Sequence, residues 1–308
     1  MLELPEKIKK QGTAVALGYF DGIHLGHQAV LNTALSYAKK EKLVPVVMLF
    51  DIHPRKLISG VIPPMLTSEE KKRRLLTDMG FTVVDFNFRQ AMDYSPDEFI
   101  DKILVNSLNA RVVSCGFDYH YGKGGKGNAA TLRRDLEKRG IRAFSKEPIL
   151  LGDEVISSTA IRGLIAAGEI EKANTMLGSC FSYDFTVKKG DGLGRVLGFP
   201  TINQFFPQDF VVPRYGVYAS KVCLDGRWYP AVTNVGIRPT VAKASMRSET
   251  CILDFSGDLY GKNVEVSLIK FIRDEKKFPD LGALSKQIEK DMARARSIYN
   301  EVEKNQPV

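Results

Sequence analysis

Histidine is scarce in this 308-residue chain, which carries four. Long apolar runs are missing too: none approaches the roughly 18 residues that a membrane-crossing helix requires, and the opening MLELPEKIKK has no apolar core of the kind a secretory leader uses. A cytoplasmic location without membrane contact is therefore expected. The four cysteines, Cys115, Cys180, Cys223 and Cys251, are scattered without any C-x-x-C spacing, which argues against a disulfide framework or a thiolate zinc site. Free thiols are the expected state. Charge is not concentrated either. Lys and Arg number 44 and Asp and Glu 36, and the net +8 is spread along the chain, which suits an anionic small ligand such as a nucleotide and not a nucleic acid. There is no internal repeat and no low-complexity segment.

What the chain does contain is a change of rhythm. From residue 13 to about 150, apolar runs (TAVALGYF, LVPVVMLF, FTVVDFNF, ARVVSCGF) alternate with helical patterns such as HQAVLNTALSYAKKE and SPDEFIDKILVNSL. Val-rich runs between helices predict an α/β domain, a doubly wound parallel sheet covered on both faces. In such sheets ligands bind at the carboxyl ends of the strands. After residue 183 the pattern becomes strands joined by Asp-Gly and Gly-Asp turns, as in hairpins, followed by a helical stretch from about Asp280 to Glu303. This predicts a small antiparallel β-barrel domain with a terminal helix. The expected boundary falls between Gly178 and Tyr183, after the helical pair STAIRGLIAAG and EIEKANTML, giving domains 1–182 and 183–308.

Two of the four histidines, His24 and His27, stand in one glycine-rich turn between the first strand and the first long helix, GYFDGIHLGH. A helix N-terminus exposes backbone N–H groups and carries partial positive charge, so it receives phosphate readily. Gly22 and Gly26 let a ligand approach the backbone, and the imidazoles add donors. Taken alone, H-x-G-H reads more readily as an ordinary turn with two surface histidines. The stretch Gly18, Phe20, Asp21, Gly22, His24, Gly26, His27 resembles, however, the nucleotide-binding motif of nucleotidyltransferases, and its distant companion I-S-S-T-x-I-R is matched by ISSTAIR at residues 156–162. With LFDIHPRKL and CGFDYHYG the chain is similar over nearly its whole length to the bacterial bifunctional riboflavin kinase/FAD synthetase family.

The resemblance implies an N-terminal site that binds ATP and FMN and transfers AMP to the flavin phosphate. His24 and His27 would hold phosphates, Arg162 would meet the departing pyrophosphate, and Ser157, Ser158 and Thr159 would add hydroxyls where a helix cap would also want them. His53, Pro54, Arg55, Gly116 and Asp118 would line the flavin side. The sequence departs from the family's F-G-x-x-R-x-G-D loop, reading YGKGGKGN: Gly125 replaces arginine and Asn128 aspartate. A lysine at 123 or 126 does not reproduce a bidentate guanidinium.

The second half carries GDGLGRVLGFPTIN, residues 190–203, similar to the G-F-P-T-A-N segment of riboflavin kinases. By that resemblance Gly190, Gly194, Gly198 and Pro200 shape an ATP loop, and Thr201 and Asn203 offer oxygens to Mg2+, as suits a hard cation. Glu249 in RSETCILDF would be the base for the riboflavin hydroxyl, with Cys251 where the family has histidine. The implied activity is riboflavin phosphorylation followed by FMN adenylylation, with ATP, riboflavin and FMN as small-molecule substrates. Two alternatives stay open at this point: a chain with one competent site, and a flavin-binding regulator without turnover.

Overall fold

The computed structural model describes residues 4–50, 60, 62–87, 89, 92–190, 192–238 and 245–305. By packing, the chain forms two compact units, residues 1–63 with 69–157, and residues 64–68 with 158–308. The helical pair expected to close the first domain thus packs with the second unit.

The first unit is built on a five-stranded sheet of β1 (Thr13–Leu17), β2 (Val44–Phe50), β3 (Thr82–Phe86), β4 (Ala110–Gly116) and β5 (Arg142–Lys146), in the order β3-β2-β1-β4-β5. All four pairings are parallel. Every residue of β1 is buried, and its alternation divides the core: Val15 and Leu17 point into one apolar cluster, Ala16 into another with Val30, Leu31 and Ala34 of α1 (Leu25–Glu41). Strand order reverses at β1 and β4, so the crevice where an open α/β sheet receives ligands lies at their carboxyl ends. SPDEFIDKILVNSL is helical as expected, but only its first turn is α; Ile100–Ser107 is a π-helix. α2 (Glu69–Asp78) and α3 (Ala129–Glu137) are the other two helices of this unit used below.

The second unit opens with α4 (Ser158–Ala167) and α5 (Ile170–Leu177). Its six-stranded antiparallel sheet comprises β6 (Ser182–Tyr183), β7 (Thr201–Phe205), β8 (Gly216–Leu224), β9 (Arg227–Arg238), β10 (Ser245–Ile252) and β11 (Glu265–Arg273), in the order β6-β11-β8-β9-β10-β7. The sheet curls on itself. Lys188 bridges Asn203 of β7 while Thr186 bridges Asn263, so the segment after β6 links the two edges. The Asp225–Gly226 turn makes the β8–β9 hairpin, both residues holding positive φ. The expected Gly-Asp hairpin is not formed: β10 pairs with β9 and β7, and the chain crosses to set β11 against β8. Asp254, left-handed at φ 60 and clamped by Arg296 at 2.6 and 2.9 Å, turns it away from a tight reversal.

α6 (Leu281–Asn305) covers one face of the sheet, with Ala295 and Met292 packing on Val217, Ala219, Val232 and Ile269. Arg273 of β11 fastens it through a buried pair with Asp291, at 2.6 Å. At the other end Asn174 of α5 donates to the Leu268 carbonyl at 3.0 Å and accepts from the Phe181 N–H at 2.7 Å. A fragment starting at Tyr183 loses both bonds and bares the sheet under α5. We expect a fragment starting at Ser158 to unfold cooperatively at a temperature at least several degrees higher than one starting at Tyr183, read by circular dichroism. Equal midpoints would mean that α4 and α5 contribute nothing to this unit.

Candidate functional site

The turn after β1 is bent by three successive demands on the backbone. Phe20 (φ 56), Gly22 (φ 83) and Ile23 (φ 42) all lie in the left-handed region, which is unfavourable for the two non-glycines. What holds them there is packing. Phe20 is 1% exposed in the core, its ring lying against Gly18, where a Cβ would come within 2.9 Å of it. Asp21 is also buried. Phe20 therefore acts through the shape of the turn and through His27, whose ring it meets edge-on at 5.4 Å.

His24 is the N-cap of α1: its Nδ1 accepts from the His27 backbone N–H at 3.3 Å. That assignment puts the proton of neutral His24 on Nε2, the remaining donor. The two imidazoles stack at 3.7 Å, and a Cβ on Gly26 would come within 3.1 Å of the His24 ring and 3.6 Å of the Ile156 carbonyl. Ile156, the first residue of the second motif, thus stands at the histidine turn, and Ser157 follows it directly. Ser158 opens α4, with Thr159 and Arg162 in its first turns; Arg162 donates through Nε to the Pro64 carbonyl at 2.6 Å. On the neighbouring strand Leu17 pairs with Cys115, which sets Gly116 beside Gly18 at the sheet's carboxyl edge. Asp118 is exposed just beyond it, its Oδ1 3.0 Å from where a Gly116 Cβ would be. His53, Pro54 and Arg55 lie outside the described residues.

In the second unit the antiparallel register sets Thr201 opposite Cys251 and Asn203 opposite Glu249. Since alternate residues share a face, all four fall on one side. Asn203 is buried, and its Oδ1 has no hydrogen-bond partner among the described residues. A buried carbonyl oxygen without a partner, one register step from a threonine hydroxyl, fits a hard divalent cation. The glycine loop lies against these two side chains: a Cβ on Gly190 would fall 2.4 Å from the Asn203 amide nitrogen, and one on Gly194 would fall 2.4 Å from the Phe199 carbonyl and 3.3 Å from the Thr201 hydroxyl. Gly198 turns the loop at φ 84, and Pro200 lies on the rim of a cleft of about 410 Å3 that Thr201, Thr250, Phe255 and Asp258 also line. Glu249 is one-third exposed and paired to Arg247 at 2.5 Å. Burial pushes the Cys251 thiol up to about 11, so it stays protonated at neutral pH.

Sequence reasoning passed over Arg247, although strand alternation two residues before Glu249 was a readable signal. It also missed a cluster in which Tyr19 meets Glu69 and Lys72, a helical pair 50 residues further along the chain.

A FAD synthetase family model matches residues 6–160 and a riboflavin kinase family model residues 177–299. The chain is 36% identical over 296 residues to the bifunctional riboflavin kinase/FMN adenylyltransferase of Listeria monocytogenes, covering 94% of this chain and 93% of that one. Identity to the Bacillus subtilis protein of the same description is 36%, over 97% and 96%. A solved structure named as a macrolide-efflux protein of Streptococcus pneumoniae superposes with a TM-score of 0.83 at 30% identity, covering 96% of this chain and 99% of that one. Among the described residues no helix is long and apolar enough to cross a membrane.

The loop geometry carries a direct test. Gly190→Ala forces the Asn203 amide to move, and a misplacement of about 1 Å at a reacting centre costs on the order of 10²-fold in rate. Riboflavin phosphorylation should fall by about that factor while FMN adenylylation is kept; an unchanged kinase rate would mean that the Asn203 carbonyl is not used.

Proposed function

The chain belongs to the bifunctional riboflavin kinase/FMN adenylyltransferase family, and on that footing we propose how its own residues divide the two reactions. The protein phosphorylates riboflavin to FMN with ATP and adenylylates FMN to FAD with release of pyrophosphate. Adenylyl transfer falls to the histidine turn. The FMN phosphate is already ionised at neutral pH and attacks the α-phosphorus itself; its oxygen forms the new P–O bond as the bond to pyrophosphate breaks. The protein needs no nucleophile. Its work is positioning and charge stabilisation: His24 through Nε2–H, His27 beside it, and the N–H groups of α1 hold phosphate oxygens. Ser157, Ser158, Thr159 and Arg162 receive the leaving pyrophosphate, and Gly116 and Asp118 border the flavin side. The observation that supports this reading most is the approach of Gly26 to the His24 ring and to the carbonyl of Ile156, the first residue of the second motif.

Phosphorylation falls to Glu249. It takes the proton of riboflavin's primary hydroxyl as that oxygen attacks the γ-phosphorus and ADP leaves. Thr201 and Asn203 would hold Mg2+, which when bound neutralises phosphate charge and orients the ATP chain. Gly190, Gly194, Gly198 and Pro200 leave room for the phosphates against these side chains. The functional boundary stays between Gly178 and Tyr183. α4 and α5 pack with the second unit, but α4 carries residues of the first reaction. Four unpaired cysteines suit a reducing compartment, and a cytoplasmic location is part of the same reading.

The two assignments separate in paired variants. His27→Ala should lower adenylylation by about 2.7–4 kcal/mol of barrier, the usual loss for one preorganised donor, and spare riboflavin phosphorylation. Glu249→Gln should lower the kinase rate by roughly 10²–10⁴ while FAD still forms from added FMN. Chromatography of products from riboflavin and ATP reads both. If either variant loses both activities while folded, the division of labour is wrong; FMN alone from the unmodified protein would leave only the kinase.

A further inference from the structure

Lys72 is a buried cation that neither reaction uses. Its side chain is 1% exposed, and burying an ammonium is expensive unless it is matched by partners. It has two. Its Nζ donates to Glu69 Oε1 at 2.8 Å and sits 4.1 Å above the centre of the Tyr19 ring, a cation–π contact. The same Glu69 oxygen accepts from the Tyr19 hydroxyl at 3.1 Å. Tyr19 is thus gripped twice, on its face by the ammonium and at its tip by the carboxylate the ammonium fixes. A helix that only had to cover the sheet would be served at this position by leucine or methionine.

Tyr19 lies inside the nucleotide motif, one residue before the left-handed Phe20. Phe20 rests on Gly18 and meets the His27 ring, and His27 stacks on His24. These contacts form one unbroken series from α2 to the imidazoles. We infer that Lys72, through Glu69 and Tyr19, is a positioning residue for adenylyl transfer: it locks the turn whose strained backbone sets the Phe20 ring, and with it the His27 and His24 imidazoles. This rests on the assignment of adenylyl transfer to the histidine turn.

The scarcity of histidine makes the test clean, because four imidazoles give four sets of ring resonances, assignable by single substitution. In the full-length protein, Lys72→Met should shift the His24 and His27 ring signals by NMR while leaving His120 unmoved. It should also lower adenylylation kcat by tenfold to hundredfold with a smaller change in KM for ATP, and leave the riboflavin kinase rate as it was. Lys72→Arg, which keeps a cation over the ring, should recover part of the loss. Lys102→Met, removing an exposed lysine paired with Glu98, should move none of these. Should Lys72→Met fail to fold, Tyr19→Leu cuts the same series at its next member and should move the same two signals. Unshifted His24 and His27 resonances in a folded Lys72→Met or Tyr19→Leu protein overturn the inference. Its failure is distinct from failure of the underlying assignment: an intact adenylylation rate in His27→Ala would dismiss the turn as the reacting site, whatever the imidazole signals of Lys72→Met report.

Discussion

Parallel pairing of β1 to neighbours on both sides is the constraint on which the adenylylating half depends. The pairing fixes Leu17 against Cys115 and so puts the two exits, Gly18 and Gly116, next to each other at the one point where strand order reverses. Side-chain size then settles the helix. β1 presents Ala14 and Ala16 toward α1, whose own contacts include Ala34 and Ala38, so helix and strand approach closely. Ser114 of β4, fully buried, adds a bond to the Val30 carbonyl at 2.9 Å. A slip of one residue would exchange these alanines for Val15 and Leu17 and drive α1 off the sheet. Because α1 begins a few residues after β1 ends, its position also dictates how sharply the turn must bend. Left-handed Phe20 and Ile23 follow from that shortage of chain.

In the second half the same period-two logic separates a buried row of hydroxyls from the side chains of Asn203 and Glu249. Asn203, Glu249, Thr201 and Cys251 share one side of the sheet; the alternate residues form a buried row of hydroxyls, Ser220 to Thr233 at 2.8 Å and Thr233 to Thr250 at 2.9 Å. Gln204 completes it by donating to the carbonyls of Phe185 and Val264, at 2.5 and 2.7 Å. Polar groups buried in this way specify geometry, since a slipped register would strand each of them unpaired. The row thereby protects the facing of Asn203 on Glu249.

The alternation of Val-rich runs with helices, the turn after β1 and the glycine loop were legible because each is a local pattern: period, capping residue, glycine spacing. What was not legible depended on distant pairing. LDFSGDLYG carries hairpin chemistry, yet the competition is decided by β11 finding a full-length partner in β8. Residues 64–68 lie within the first motif-bearing stretch of the chain but pack with the second unit, where Met65 bridges Phe210 and Ser68 bonds Asp184 at 3.2 Å. No periodicity announces such a strap. Lys72 looks like one of four basic residues in KKRR, of which Lys71 and Lys72 are both buried, and nothing in that run distinguishes the one that lies beneath a tyrosine.

The departures from family pattern acquire different meanings once placed. Asn128 caps α3, accepting from the Thr131 N–H at 2.9 Å, and an aspartate would cap equally well; the exchange removes a charge and keeps the helix start. Gly125 is more than a lost guanidinium. It and Gly124 hold φ of 64 and 66, a pair of left-handed residues that an arginine would resist by about 1–2 kcal/mol. The loop backbone is therefore built for glycine, and Lys123 is already paired with Asp93 at 3.3 Å. On the proposed assignment, charge on the flavin phosphate is met from outside this loop, which throws more weight on the histidine turn and on whatever holds it rigid. Cys251 changes the kinase face in the opposite sense. A family imidazole could share or shuttle a proton near Glu249, whereas a buried thiol that titrates near 11 cannot do so at neutral pH. The proposed base, Glu249, is steadied by Arg247 two residues away on the same strand.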